Sequence, residues 1–161
     1  MNGSRVYFDD NLTEEQEAFI RKWIKTLRSR KYKQGTGFLV VHTNSQLRHC
    51  CLGVACDISN VYTYGHTCDH IGNQVFFTLP NGEHRNGYLY EGYTFGLRTT
   101  SGDPRDGISS RMFFPIAFMN DHGVSFRKIS KILEKDLNRE LDFDTYYTII
   151  GEKLYAKLEA S

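Results

Sequence analysis

Apolar residues recur at helical spacing near both ends of the chain and alternate at strand spacing only in its middle. That division constrains the fold more than any other feature. Thr13 and Gln16 form a capping-box pattern, Glu14, Glu15 and Glu17 suit the positive end of a helix, and Phe19, Ile20, Trp23, Ile24 and Leu27 follow as one apolar stripe. Ser125 is placed to cap a helix whose Phe126, Ile129, Ile132 and Leu133 share a face. Asp142 or Asp144 starts a last helix bearing Tyr146, Tyr147, Ile150, Leu154 and Leu158.

Between these ends, residues 38–41 read as a short buried strand, and residues 50–58, with Gly53 and Ala55, as a closely packed helix. Val75, Phe77 and Leu79 alternate before the Pro80-Asn81-Gly82 turn. Tyr88, Tyr90, Tyr93, Phe95 and Leu97 are expected to continue the strands, with Gly92 as a bulge. Residues 112–119 predict a buried helix closed by Asn120, Asp121 and Gly123. The expected fold is α+β: a small antiparallel sheet packed with N-terminal and C-terminal helices, in a single domain over residues 1–161.

Twenty basic against 19 acidic side chains give a formal net charge of +1, which argues against a general nucleic-acid-coating protein. The longest apolar run, residues 112–119, is interrupted by Pro115 and far too short to cross a bilayer. The first ten residues are polar and carry no signal-peptide pattern, so Cys50, Cys51, Cys56 and Cys68 are expected as reduced thiols of a cytoplasmic protein.

Eleven Phe, 10 Tyr and one Trp supply more rings than the core stripes claim, and the surplus is mainly tyrosine. Tyr32, Tyr88, Tyr90 and Tyr93 are candidate stacking surfaces. Arg98, Arg105 and Arg111 lie in a long Ser/Thr/Gly-rich segment, residues 98–111, that could close over phosphates. Lys31 and Lys33 stand beside the amides of Gly35 and Gly37. Rings beside cations predict a pocket for an anionic ring compound, against the plainer reading of tyrosines packed on the sheet and arginines in water.

Other constellations are weaker. His49, Cys50, Cys51, Cys56, His66, Cys68 and His70 crowd together, and a strand would turn His66, Cys68 and His70 to one face. The run lacks paired Cys-x-x-Cys knuckles, so buried thiols and surface histidines are expected, with no metal and no cofactor. Cys51 with His49, His42 or His122 is the only nucleophile–base combination in prospect, and its apolar neighbours would raise the thiol pKa. The Asp103-Pro104-Arg105-Asp106-Gly107 segment reads as a turn, and the basic stretch 21–33 as a solvated helix face.

Three blocks carry a resemblance. They are Lys31-Tyr32-Lys33-Gln34-Gly35-Thr36-Gly37-Phe38-Leu39, Cys50-Cys51-Leu52-Gly53-Val54-Ala55-Cys56-Asp57, and Met119-Asn120-Asp121-His122-Gly123-Val124-Ser125-Phe126 followed by Ile129. In matching order they resemble a family of small tailed-phage proteins reading Tyr-x-Gln-Gly-x-Gly-x-Leu, Cys-Cys-Leu-Gly-Val-x-x-Asp and Asn-Asp-x-Gly-x-Ser-Phe. Residues 64–106 fall outside the resemblance. It implies a viral accessory protein in the cytoplasm of an infected bacterial host and gives no reaction. It also adds Gln34, Asn120 and Asp121 to the candidate ligand-binding residues.

Small phage accessory proteins often disarm host defence, some by withholding nucleotide second messengers. The resulting expectation is an anti-defence protein that sequesters a small nucleotide-derived immune signal, a cyclic nucleotide or an ADP-ribose derivative, without catalysis. A site of this kind is often shared between protomers, so a homo-oligomer is expected. The alternatives are an enzyme that cleaves such a signal, and an interaction module that spends its exposed tyrosines on a host enzyme.

Overall fold

The computed structural model describes residues 4–69, 72–107 and 113–161, with the side chains of residues 66–69 and 72–74 outside the description. Among the described residues the chain forms six helices and two small antiparallel sheets, an α+β fold. Helix α1, Glu14–Arg28, is followed by the hairpin β1, Val40–Thr43, and β2, Gln46–His49, then by α2, Cys51–Ile58. Strands β3, Thr63–Asp69, β4, Gly72–Thr78, and β5, His84–Arg85, make the second sheet in the order β3-β4-β5. The C-terminal part holds α3, Ile116–Asp121, α4, Phe126–Leu137, α5, Phe143–Ile150, and α6, Glu152–Glu159.

Helix α1 begins where its capping box predicts. The Thr13 hydroxyl accepts from the Gln16 N–H at 3.1 Å, and the Gln16 side chain accepts from the Thr13 N–H at 3.0 Å. Ile20, Trp23, Ile24 and Leu27 are buried, chiefly against α4 and α2. The Trp23 indole N–H is satisfied by the Cys51 carbonyl at 2.9 Å. Helix α2 packs with its backbone directly on Leu39: a Cβ built on Gly53 would lie 1.7 Å from the Leu39 carbonyl oxygen. Only glycine permits that approach.

The N-terminal segment, polar in sequence, is a structural strap. The buried Asp136 carboxylate of α4 accepts the consecutive N–H groups of Val6, Tyr7 and Phe8 at 2.5, 2.8 and 3.0 Å. Arg5, 6% exposed, donates to the carbonyls of Leu137, Asp9 and Asp10. Residues 96–105 then attach to this strap through Asp9 N–H to Gly96, Arg98 N–H to Tyr7 and Arg105 N–H to Val6.

Three expectations need correction. Residues 88–97 form turns instead of a strand. The Tyr62 hydroxyl accepts from the Tyr90 N–H and donates to the Tyr93 carbonyl, fixing the segment by side chain in place of a ladder. Phe95 and Gly96 both take positive φ, 57° and 83°, which no strand tolerates. Of the helix expected over 112–119, residue 112 lies outside the described residues, and the described part starts only at Ile116 and runs to Asp121, because Pro115 disfavours helical backbone at Phe114. The single last helix is two, divided at Gly151 with φ 91°. Asp142, with its carboxylate on the Thr145 N–H at 2.7 Å, is the N-cap of the first.

Candidate functional site

Residues 30–37, between α1 and β1, bring the three sequence blocks together. His49 N–H donates to the Lys33 carbonyl at 2.9 Å and Gly35 N–H to the His49 carbonyl at 2.7 Å, so the segment pairs with β2 in parallel at Gln34. From this backbone the Gln34 amide turns inward. It donates to Asn120 Oδ1 at 3.0 Å and to the Val124 carbonyl at 2.8 Å, while its oxygen accepts the Phe126 N–H at 3.1 Å.

Asn120, 1% exposed, also accepts the Cys51 N–H at 3.1 Å and donates to the Gly35 carbonyl at 2.8 Å. The Asp121 carboxylate accepts the Gly37 N–H at 2.9 Å. Gln34, Asn120 and Asp121 thus form a clasp joining the segment to α2, α3 and α4. The hydrogen-bonding capacity of the two amides is largely consumed within the protein.

The outward side of the same segment borders a cleft of about 490 Å³ between the end of α1 and the start of α4. Arg28, Arg30, Tyr32, Gln34, Arg127 and Lys131 line it, and no Asp or Glu does. Arg28 is fixed by its Nε on Ser130 Oγ at 3.0 Å and by a forked pair with Glu134 at 3.0 and 3.2 Å. That pairing holds the Glu134 carboxyl below its ordinary range and so fully ionised.

Arg30, Arg127 and Lys131 have no side-chain partner among the described residues. At the start of α4, Gln34 takes the Phe126 N–H and the Ser125 cap takes that of Lys128, which leaves the Arg127 N–H without an acceptor among the described residues. Arg30, Arg127 and Lys131 are exposed, so the cleft presents uncompensated positive charge to solvent.

Tyr32 closes the cleft against the core. Its hydroxyl donates to the Asp57 carboxylate, and burial raises its pKa. Its ring lies edge-on to His49 at 4.9 Å. His49 is 3% exposed, both ring nitrogens lack a partner among the described residues, and burial lowers its pKa, so the imidazole is held neutral.

The remaining expected site residues fall elsewhere. Tyr88 and Tyr90 line a second cleft, about 590 Å³, with His84, Arg85, Glu91 and Thr100. Its one arginine, Arg85, is paired with Glu83 at 2.8 Å. Tyr93 borders a third cleft beside Phe19, Lys22 and Phe95. Arg98 and Arg105 do not line the cleft of Tyr88 and Tyr90. Arg98 donates to the Arg5 carbonyl and pairs with Asp10 at 3.3 Å, bracing the N-terminal strap. Lys33 is exposed beside Tyr32, and Lys31 lies 5.5 Å from the Tyr32 ring centre. Arg111 lies outside the described residues.

Cys50, Cys51 and Cys56 are buried; desolvation pushes the Cys50 thiol up to about 12 and the other two well above the ordinary range. A thiol so raised is neither nucleophile nor ready metal ligand. No group of three or more His, Cys, Asp or Glu residues suited to a metal occurs among the described residues. His66 and Cys68 do stand two apart on β3, but their side chains, and all of His70, lie outside the description. No described helix is long and apolar enough to cross a membrane.

Sequence reasoning missed Arg30, Arg127 and Lys131. Arg30 belongs to the basic stretch 21–33 that reads as a solvated helix face, and nothing in the helical pattern after Ser125 singles out Arg127 or Lys131. The available signal was spacing: Arg127 and Lys131, four apart, share the helix face that begins at the Ser125 cap. Comparison with family models, curated proteins and solved structures finds no match to this chain.

Proposed function

We propose that this chain binds a small nucleotide-derived anion in the cleft between α1 and α4 and holds it without chemical change. The observation that carries the reading is the charge of that cleft: Arg28, Arg30, Arg127 and Lys131 border it with no carboxylate, and three of the four are unpaired among the described residues. Arginine forks match phosphate oxygens, the free Arg127 N–H adds a main-chain donor, and Tyr32 offers a ring beside them. The lining includes no imidazole, thiol or carboxylate to act as base or nucleophile, which supports holding over cleavage. With the resemblance to phage proteins, the biological role is the sequestration of a host immune signal in an infected bacterium.

The test is to incubate the protein with AMP, cyclic AMP and ADP-ribose, remove unbound ligand, denature, and identify what is released. Intact ligand from the wild type, with affinity reduced about tenfold or more in Arg127→Ala and unchanged in Tyr88→Ala, is the expected result. Release of fragments would assign cleavage. Equal losses in Tyr88→Ala and none in Arg127→Ala would move the site to the tyrosine-lined cleft.

A further inference from the structure

The basic cleft has a neighbour. A second hollow of about 530 Å³ lies between α4 and the start of α5, and Arg28 and Lys131 line both. The two lobes therefore share a wall in which Arg28 is paired with Glu134 and Lys131 has no side-chain partner among the described residues, and each by itself has the size of a small-ligand pocket.

Their chemistry is opposite on either side of that wall. The first lobe adds Arg30 and Arg127 to the shared cations and holds no acid. The second adds Glu134, already paired with Arg28, and Lys135, paired with Glu140, and leaves Asp144, the Thr148 hydroxyl and the apolar side chain of Ile149 to a ligand. A carboxylate repels a phosphate, and together with a hydroxyl it binds the diol of a ribose or the amino group of a base. Ile149 supplies an apolar surface for a flat ring.

We infer that the ligand is a nucleoside joined through phosphate to a second ring-bearing unit, with its phosphate at Lys131 and Arg127, one ring towards Tyr32 and the nucleoside in the α4–α5 lobe. This inference rests on the proposed anion site and specifies what occupies it. A mononucleotide satisfies one lobe only. A molecule reaching both gains the second set of contacts without a second loss of translational freedom, so its affinity exceeds that of either half.

Asp144 and Thr148 are exposed, and neither side chain makes a hydrogen bond among the described residues, so changing them leaves the fold intact. Isothermal titration calorimetry on the full chain compares AMP, ADP-ribose and the linear dinucleotide pApA. At least one two-ring ligand should bind about tenfold or more tighter than AMP. The Asp144→Asn/Thr148→Val double variant should weaken that ligand about tenfold while leaving the affinity for inorganic pyrophosphate, which reaches the cations alone, unchanged. If AMP binds and neither two-ring ligand binds tighter, or if the double variant changes nothing, the two-lobe inference is overturned and the anion site stands. If no ligand binds wild type, both are overturned.

Discussion

The two sides of residues 30–37 are made of similar side chains and behave in opposite ways. Inward, Gln34 and the amides of Gly35 and Gly37 meet Asn120, Asp121 and His49, and nearly every donor finds an acceptor. Outward, Arg30 joins Arg127 and Lys131, and none of the three finds a partner among the described residues. A polar residue whose groups are satisfied by the protein is building material. One whose groups are left over is available to a ligand.

The same contrast separates two arginines in equivalent backbone positions. Arg30 follows the cap of α1 with φ 63°, and Arg139 follows the cap of α4 with φ 59°. Glycine is the least strained residue at such positions. Arg139 is held there by the Asp10 carbonyl and carboxylate, so its side chain offsets the strain. Arg30 has no side-chain partner among the described residues and borders the cleft.

The inward side should fail first and most heavily. Asn120→Ala strands the Cys51 N–H and the Gly35 carbonyl in the interior, and should lower stability by about 3 kcal/mol in urea denaturation. A loss near zero would mean that Asn120 faces a ligand and not the clasp. On the outward side Arg127→Ala should leave the denaturation midpoint within about 0.5 kcal/mol of wild type and reduce ligand affinity about tenfold. A variant that unfolds instead would place Arg127 with the clasp.

His49 lies between the two sides, beneath Tyr32, and its titration sharpens the boundary. Phe77 and the charge of Asp57 are the other groups near it. Burial lowers its folded-state pKa below 6.5, so below that pH the unfolded chain takes up a proton that the native chain refuses. Stability should fall as pH drops from 6.5 towards the lowered value, and be unaffected above it. His49→Phe, which keeps a ring and removes both unpartnered nitrogens, should flatten that slope in denaturation curves. A slope that persists in the variant belongs to other groups.

How much of this was legible in the sequence follows from what each signal depends on. The α1 and α4 starts were readable because capping is local: Thr13, Gln16 and Ser125 act on residues within one turn. The β3–β4 hairpin was half legible, Val75 and Phe77 showing the alternation while its partner strand carried little. Residues 88–97 misled, because alternating rings predict a strand and the deciding interaction, Tyr62 on Tyr90 and Tyr93, spans about 30 positions.

The N-terminal strap was invisible for the same reason, its Asp136 partner lying 130 residues from Val6. Of the candidate site, Tyr32 and Gln34 stand out in the sequence and line the cleft. The cations that define it come from two elements about 100 positions apart, and no window along the chain joins Arg30 to Arg127.

Arg30→Gly tests the central claim most directly, because building and binding predict opposite results from one substitution. Relief of the left-handed backbone should leave stability unchanged or raise it by up to about 1 kcal/mol. Affinity for whichever of AMP, ADP-ribose and pApA binds wild type most tightly should fall by about tenfold in the same preparation. A variant both more stable and weaker in binding is the outcome the account predicts. Unchanged affinity would contradict it and leave the basic cleft a patch of solvated charge.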